Sequence, residues 1–292
     1  MRPPCRGNLG PGNREDPLPD AFLPMIDSER TRVDSRTDEA RRVVICADDF
    51  GMNAGIDAGI LDLGRRGVLQ ATSCLVEGPS FSLDAPALRE SGLQTGLHLN
   101  FTEALGAEGL FLPLGKLIAS AYLRRLDAGR LHSQIVRQLD RFEAVMGRAP
   151  DFVDGHQHVH QLPQIREALL DELSRRYPDR KPWLRYTAAA PQPAISMRLR
   201  FKAFVIEVLG SRRLARLARR NGFGLNRGFL GVYDFQGGEQ GYAQLLRAWL
   251  AHAREGDLLM CHPAARAEAD DGLGMQRVAE YRVLATRNHL QP

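Results

Sequence analysis

The stretch VVICADDFGMNAGIDAGILDLGRRG, residues 43–67, decides the fold. Its first five residues, Val43 to Ala47, form a short apolar run that reads as a strand. After Asp48, Asp49 and Gly51 the period changes. Ile56, Ile60 and Leu63 recur at helical spacing behind a capping residue, Asn53, and Gly64 and Gly67 close the element. Strand, turn and helix in that order make one βα unit. Working outward, the same kind of run returns at ATSCLV (71–76), TGLHLNF (95–101), FVD (152–154), WLRY (183–186), GFLGVY (228–233) and LLMC (258–261). Helical segments lie between them; in one, Pro163 suits a first-turn position ahead of Leu169, Leu170 and Leu173. This alternation implies a parallel sheet with helical crossovers. About seven parallel strands in an α/β chain of this length predict a TIM-like (β/α) barrel, an incomplete one included, over a small doubly wound sheet. Residues 102–116 lack periodicity and read as a long loop over the strand ends.

The remainder of the composition bounds the problem. At 292 residues the chain is long enough to bury roughly three quarters of its unfolded surface, so a core needs neither disulfides nor a structural metal. No apolar run approaches the roughly 18 residues of a membrane span. Cys46, Cys74 and Cys261 sit in apolar runs as small hydrophobes, which favours a reducing compartment. The start, MRPPCRGNLG, lacks the apolar stretch of a secretory signal, so a cytoplasmic location is expected. The net charge of +4 requires no polyanionic partner, and no nucleic-acid motif accompanies it. Residues 1–40, rich in Pro, Arg and Asp with one small apolar cluster, read as a disordered tail. That leaves 41–292 as a single barrel domain.

Chemistry gathers where the strands end. VVICA runs into Asp48 and Asp49, TGLHLNF carries His98, FV ends in Asp154-Gly155-His156-Gln157-His158-Val159-His160, and LLMC ends in His262-Pro263. Four strands thus bring Asp and His to one rim, the C-terminal face where barrel enzymes place their sites. Taken singly, each signal has a plain alternative. Asp48-Asp49 with Gly51 reads as a turn, or as two carboxylates dividing metal binding from base catalysis. In a regular strand His98 and Asn100 face the barrel interior, and His98 is either a hydrogen-bonded core residue or a ligand. Three histidines at alternate positions in HQHVH resemble a ligand cluster, with Asp154 placed to orient one ring; a polar loop is the alternative. His262 is a candidate acid. No phosphate-binding loop, dinucleotide fingerprint or G-x-S-x-G elbow occurs where it would count. RRLARLARR (212–220) reads as an amphipathic helix whose arginines, beside Leu214 and Leu217, face solvent or else an anionic membrane surface.

Together ADDFG (47–51), GLHLNFTE (96–103), DGHQHVH (154–160) and CHPA (261–264) resemble the YdjC-like carbohydrate deacetylases. That family includes chitooligosaccharide deacetylases and relatives acting on hopanoid-linked sugars. The resemblance begins near Arg42 and runs almost to the C-terminus. It implies a TIM-like barrel holding one divalent metal through Asp49, His98 and His156. Asp48 would be the general base, and His262 the acid or the stabiliser of the intermediate. Gly155 stands where many relatives have Ser. Mg²⁺ or Zn²⁺ suits one carboxylate and two imidazoles, as do Co²⁺ and Ni²⁺. The reaction implied is hydrolytic removal of acetyl groups from N-acetylated sugars, oligosaccharide or glycolipid-linked. Two rivals are a metal-dependent phosphoesterase and a non-catalytic sugar-binding protein of the same fold. The supply of ligands suits one ion better than two, and Asp48 has no purpose in a pure binder. The sequence is compatible with a homodimer. Residues 186–250 match no motif, and substrate choice is expected there and in 102–116.

Overall fold

The computed structural model describes residues 43–286; the tail expected over 1–40 lies outside them. Each of the seven apolar runs forms a strand: β1 (Val43–Phe50), β2 (Ala71–Cys74), β3 (Gln94–Leu99), β4 (Phe152–Gly155), β5 (Trp183–Leu184), β6 (Phe229–Leu230) and β7 (Asp257–Cys261). All pairings are parallel, in the order β5-β4-β3-β2-β1-β7-β6. That order is sequential around a circle, as in a barrel. A doubly wound sheet would instead reverse its strand order partway along.

The two edges of the sheet meet. Leu184 bridges Leu225, and Ala189 bridges Phe229, both in parallel. Between these bridges the Asn226 amide replaces a stretch of ladder: Tyr186 N–H donates to its Oδ1 (2.6 Å), and its Nδ2 donates to Tyr186 O (2.9 Å). Seven strands therefore curl into a barrel whose last seam is closed by isolated bridges and one side chain.

Strand alternation divides the core in two. Cys46, Ala71, Phe152, Phe229, Leu258 and Met260 fill the inside and form a floor beneath the rim. Ile45, Ala47, Leu97, Leu99, Val153, Leu259 and Cys261 face the helices. Cys46, Cys74 and Cys261 are buried free thiols, as expected.

The helices are α1 (Ala54–Arg65), α2 (Phe81–Glu90), α3 (Leu114–Tyr122), α4 (Ala128–Met146), α5 (Ile165–Arg176), α6 (Met197–Ile206), α7 (Arg212–Arg220), α8 (Gly238–Leu250) and α9 (Gly274–Ala285). Asn53 caps α1 by accepting from Ile56 N–H at 3.0 Å, and Ile56, Ile60 and Leu63 are its buried face. Three expectations change. The loop after β3 stops at Pro113, because Leu117 and Ala121 give α3 an inward face. Pro163 lies before α5, whose cap is Gln164 in a left-handed conformation (φ 62°), so it takes no first-turn position. In α7, Leu214 is fully buried and Leu217 packs partly against the core, so the leucines of this helix are not the exposed apolar face expected beside its arginines. No helix among the described residues is long and apolar enough to cross a membrane.

Candidate active site

The end of β1 breaks strand alternation at the point where it matters. Ala47 pairs with Thr72 but Phe50 with Cys74, so the register slips by one residue across Asp48 and Asp49. Asp49 sits at φ 73°, in the left-handed region that Asp tolerates better than most side chains. Two neighbours that would point to opposite faces of a regular strand therefore both reach His98. Gly51 completes the turn at φ 96°, where a Cβ would lie 2.7 Å from Leu75 O.

His98 is held from the next strand. The β3–β4 register sets it opposite Asp154, and Asp154 Oδ1 lies 2.7 Å from its Nδ1. Asp154 thus orients an imidazole, but that of His98 and not, as expected, one of the rings of HQHVH. The other nitrogen, Nε2, is 3.4 Å from Asp49 Oδ1 and 3.9 Å from Asp48 Oδ2. Asn100 does not line the site with it. Past the end of β3 its Oδ1 accepts from Thr102 N–H and Glu103 N–H, both at 3.0 Å, and folds the following loop.

The histidines of HQHVH separate. After β4 the chain enters a short helical turn, His156–Gln161, with Gln157 and His158 at φ 53° and 62°. Alternation is lost, and the rings diverge. His156 Nδ1 meets Asp49 Oδ1 at 3.0 Å. His158 packs edge-on against Phe229, 5.4 Å between centroids, and His160 reaches the Arg185 carbonyl at 2.9 Å. One ring of three joins the site. Gly155 has a local reason as well: a Cβ there would lie 2.8 Å from His160 N.

Two arginines that the sequence did not single out complete the arrangement. Arg185, just past β5 and fully buried, grips both oxygens of Asp48 at 2.6 Å and Asp154 Oδ2 at 2.6 Å. Arg277, on α9, donates to Asp49 Oδ2 at 2.7 Å. The signal for Arg185 was present: an arginine in an apolar run is almost never buried without a carboxylate. Arg277 occupies an ordinary polar position in a helix, and only the fold brings it inward.

Asp48, Asp49 and Asp154 are three buried carboxylates facing two guanidiniums, one of which also pairs with Asp271 at 2.9 Å, so negative charge is left uncompensated. His98 answers it. Burial opposes its protonation, but Asp154 and Asp48 outweigh burial and push the imidazole up to about 10. Burial also works against ionised Asp49, yet Arg277 and His156 hold its carboxyl well below the usual range.

A divalent ion meets the same demand as that proton. Donor atoms of Asp49, His98 and His156 lie within 4.8 Å of one another. The Asp49 Oδ1 separations of 3.0 and 3.4 Å match those between donors about 2.0–2.1 Å from a common ion. With Nδ1–H given to Asp154, the His98 Nε2 lone pair points at a carboxylate oxygen, and something positive must lie between. The other grouping, Asp48, His98 and Asp154, has both its carboxylates bound to Arg185 and fits an ion less well.

His262 follows β7, its ring edge-on to Phe235 at 5.0 Å. Burial holds its imidazole down to about 4, against the pull of Asp49 and Asp48, so it is neutral near pH 7. Its backbone N–H donates to Glu280 Oε2 at 2.6 Å. Glu280 also accepts from the Tyr233 hydroxyl at 2.5 Å, and burial pushes its carboxyl up to about 7.

Residues 42–291 match the model of a family described as YdjC-like protein. The chain is 34% identical over 150 residues to a carbohydrate deacetylase of Mus musculus, covering 45% of this chain and 47% of that protein. It is 34% identical over 131 residues to a chitooligosaccharide deacetylase of Serratia marcescens, covering 42% and 52%. The alignments thus span about half the length of these relatives. Among solved structures, that of a proposed cellobiose-phosphate cleavage protein from Enterococcus faecalis V583 superposes with a TM-score of 0.59 at 21% identity. It covers 84% of this chain and 91% of that one, a likeness of fold.

Proposed function

The chain belongs to the YdjC-like family, and from that premise we propose that it is a metal-dependent carbohydrate deacetylase acting on N-acetylated sugars. One observation carries the reading: Asp49, His98 and His156 present donors to one point, while Asp48 is held beside them by Arg185. The names of the aligned relatives support a sugar acetyl group as the substrate.

Amide hydrolysis needs an activated water, a stabilised oxyanion and a proton for the departing amine. Asp49, His98 and His156 would hold the ion, and an ion so held acts as a Lewis acid on the acetyl carbonyl and lowers the pKa of water. Zn²⁺ and Mg²⁺ are the leading candidates, with Co²⁺ and Ni²⁺ compatible with the same donors. Asp48 takes the proton of the attacking water. Both its oxygens are fixed by Arg185, so the carboxylate is oriented before substrate arrives. Asp154 keeps the His98 ring turned so that Nε2 faces the site. His262, neutral near pH 7, suits hydrogen bonding to the developing oxyanion better than direct delivery of a proton. It becomes an acid only after gaining a proton during the reaction.

The test is release of acetate from N-acetylglucosamine oligomers by protein of measured metal content. Acetate release that chelation abolishes and divalent metal restores supports the proposal. Phosphate release from a generic ester, with no acetate, would replace it with the phosphoesterase reading.

A further inference from the structure

The helices between β5 and β6 depart from the pattern of the others. α6 buries Leu199 and Ala203 against the barrel, which is the usual amphipathic arrangement. Its opposite face is apolar as well. Met197, Phe201, Phe204, Val205 and Val208 recur at i, i+4, i+7, i+8 and i+11 and are 72, 66, 52, 37 and 54% exposed. A helix apolar on both sides belongs in an interior, and a continuous exposed stripe of this kind marks a surface that something covers. A cavity of about 390 Å³ opens along the same stripe, where Met197, Phe201 and Phe204 face the segment Ala189–Pro191.

The charge around the stripe identifies what covers it. Residues 197–220 carry eight Arg and Lys against one acid, Glu207, so this segment alone holds more positive charge than the +4 of the whole chain. Gly210, at φ 130°, breaks the helix between α6 and α7. Beyond it Leu214, Ala215 and Ala218 turn inward while Arg213, Arg216, Arg219 and Arg220 are exposed. Among the described residues only two arginines of the segment have ion pairs: Arg212 with Glu207 at 2.7 Å and Arg198 with Asp234 at 3.7 Å. A second copy of this chain is a poor occupant. A two-fold contact sets a patch against itself, and here it would oppose arginine to arginine.

We propose that the α6–α7 face docks on an anionic lipid bilayer, the apolar stripe entering the headgroup boundary and the arginines pairing with lipid phosphates. The same helix borders the candidate active site. On α6, Lys202 Nζ donates to Tyr233 O at 2.5 Å and stands 5.5 Å over the Phe235 ring, which packs on His262. A docked α6 thus places the rim of the barrel beside the membrane, within reach of a sugar carried on a lipid.

Vesicle flotation of the full chain tests the proposal without use of any activity, so it stands or falls apart from the deacetylase reading. The wild type is expected to float with phosphatidylcholine vesicles containing one third phosphatidylglycerol, less so as salt rises, and weakly with phosphatidylcholine alone. Phe201→Ser with Phe204→Ser should lower partitioning roughly tenfold. Arg213→Gln, Arg216→Gln and Arg220→Gln together should lower it about 100-fold on anionic vesicles. These positions are exposed, so melting temperature should stay unchanged, and the two sets check each other. Failure of the wild type to float on anionic vesicles at low salt overturns the proposal, as does equal flotation on neutral ones or undiminished binding by the Phe variant. So does a dimer in sedimentation velocity that the Phe substitutions split, since the face would then be covered by a second copy.

Discussion

Asp48 and Asp49 are adjacent in the chain and almost equally buried, 2% and 1% exposed, yet they are held from opposite sides of the barrel. Arg185 approaches Asp48 from β5 and takes both of its oxygens, and it takes Asp154 as well. Arg277 approaches Asp49 from α9 and takes only Oδ2, leaving Oδ1 to face His98 and His156. Two identical side chains acquire different chemistry through which oxygens a guanidinium occupies. One is locked in orientation, and the other keeps an oxygen turned to two imidazoles.

The largest effects should come from breaking the ion side. Asp49→Ala, His98→Ala and His156→Ala should each lose bound metal and deacetylation together, read by mass spectrometry beside acetate release. Asp48→Asn should keep its metal and most of its substrate affinity while turnover falls roughly 10²–10⁴-fold, the range for losing a general base. A metal-free Asp48→Asn or a fully metallated Asp49→Ala would reverse the roles, whatever the activity.

The arginines sharpen the same contrast through stability. Arg185→Met strands two buried carboxylates, and removing one partner of a buried pair costs roughly 3–5 kcal/mol. For a chain of this size the melting temperature should drop by about 10 °C. Arg277→Met strands one oxygen of Asp49, which still faces two imidazoles, and one of Asp271, which is less deeply buried than Asp48 or Asp154. Its main consequence should be metal affinity weakened roughly 10–100-fold, as when the group that orients a ligand is lost. If Arg277→Met melts as low as Arg185→Met, the asymmetry between the aspartates is wrong.

How much of this the sequence disclosed depends on the range of the forces involved. All seven strands were legible because apolar runs are local, and so was the placement of Asp48, Asp49, His98 and His262 toward strand ends. Alternation failed at the two places where the backbone turns left-handed. At Asp49 it would have separated the aspartates, and at Gln157 and His158 it would have kept three histidines together. The arginines are long-range partners: 137 residues separate Arg185 from Asp48, and 228 separate Arg277 from Asp49. Nor does the pattern of α6 tell which of its apolar faces meets the barrel.

Glu280 provides the control for the comparison, because the groups bonded to its carboxyl are neutral: the Tyr233 hydroxyl and the His262 backbone N–H. Without a bonded guanidinium, burial prevails and its carboxyl rises from 4.5 to about 7. The sign follows from linkage. The folded state holds this proton more tightly than the unfolded chain, so Glu280 contributes stability that is fully present below pH 4.5 and lost as pH rises through 7. Asp49, whose carboxyl is depressed, works the other way: its contribution is present above the ordinary carboxylate range and lost in acid. Wild-type stability should therefore climb out of acid with Asp49, then give back on the order of 2 kcal/mol toward neutrality through Glu280. Glu280→Gln resembles the protonated acid at every pH and should remove only the second limb. Denaturant titrations of both proteins between pH 4.5 and 7.5 measure it. Parallel curves would mean that Glu280 is ionised in the fold as Asp49 is, and that a bonded arginine is not what distinguishes the two.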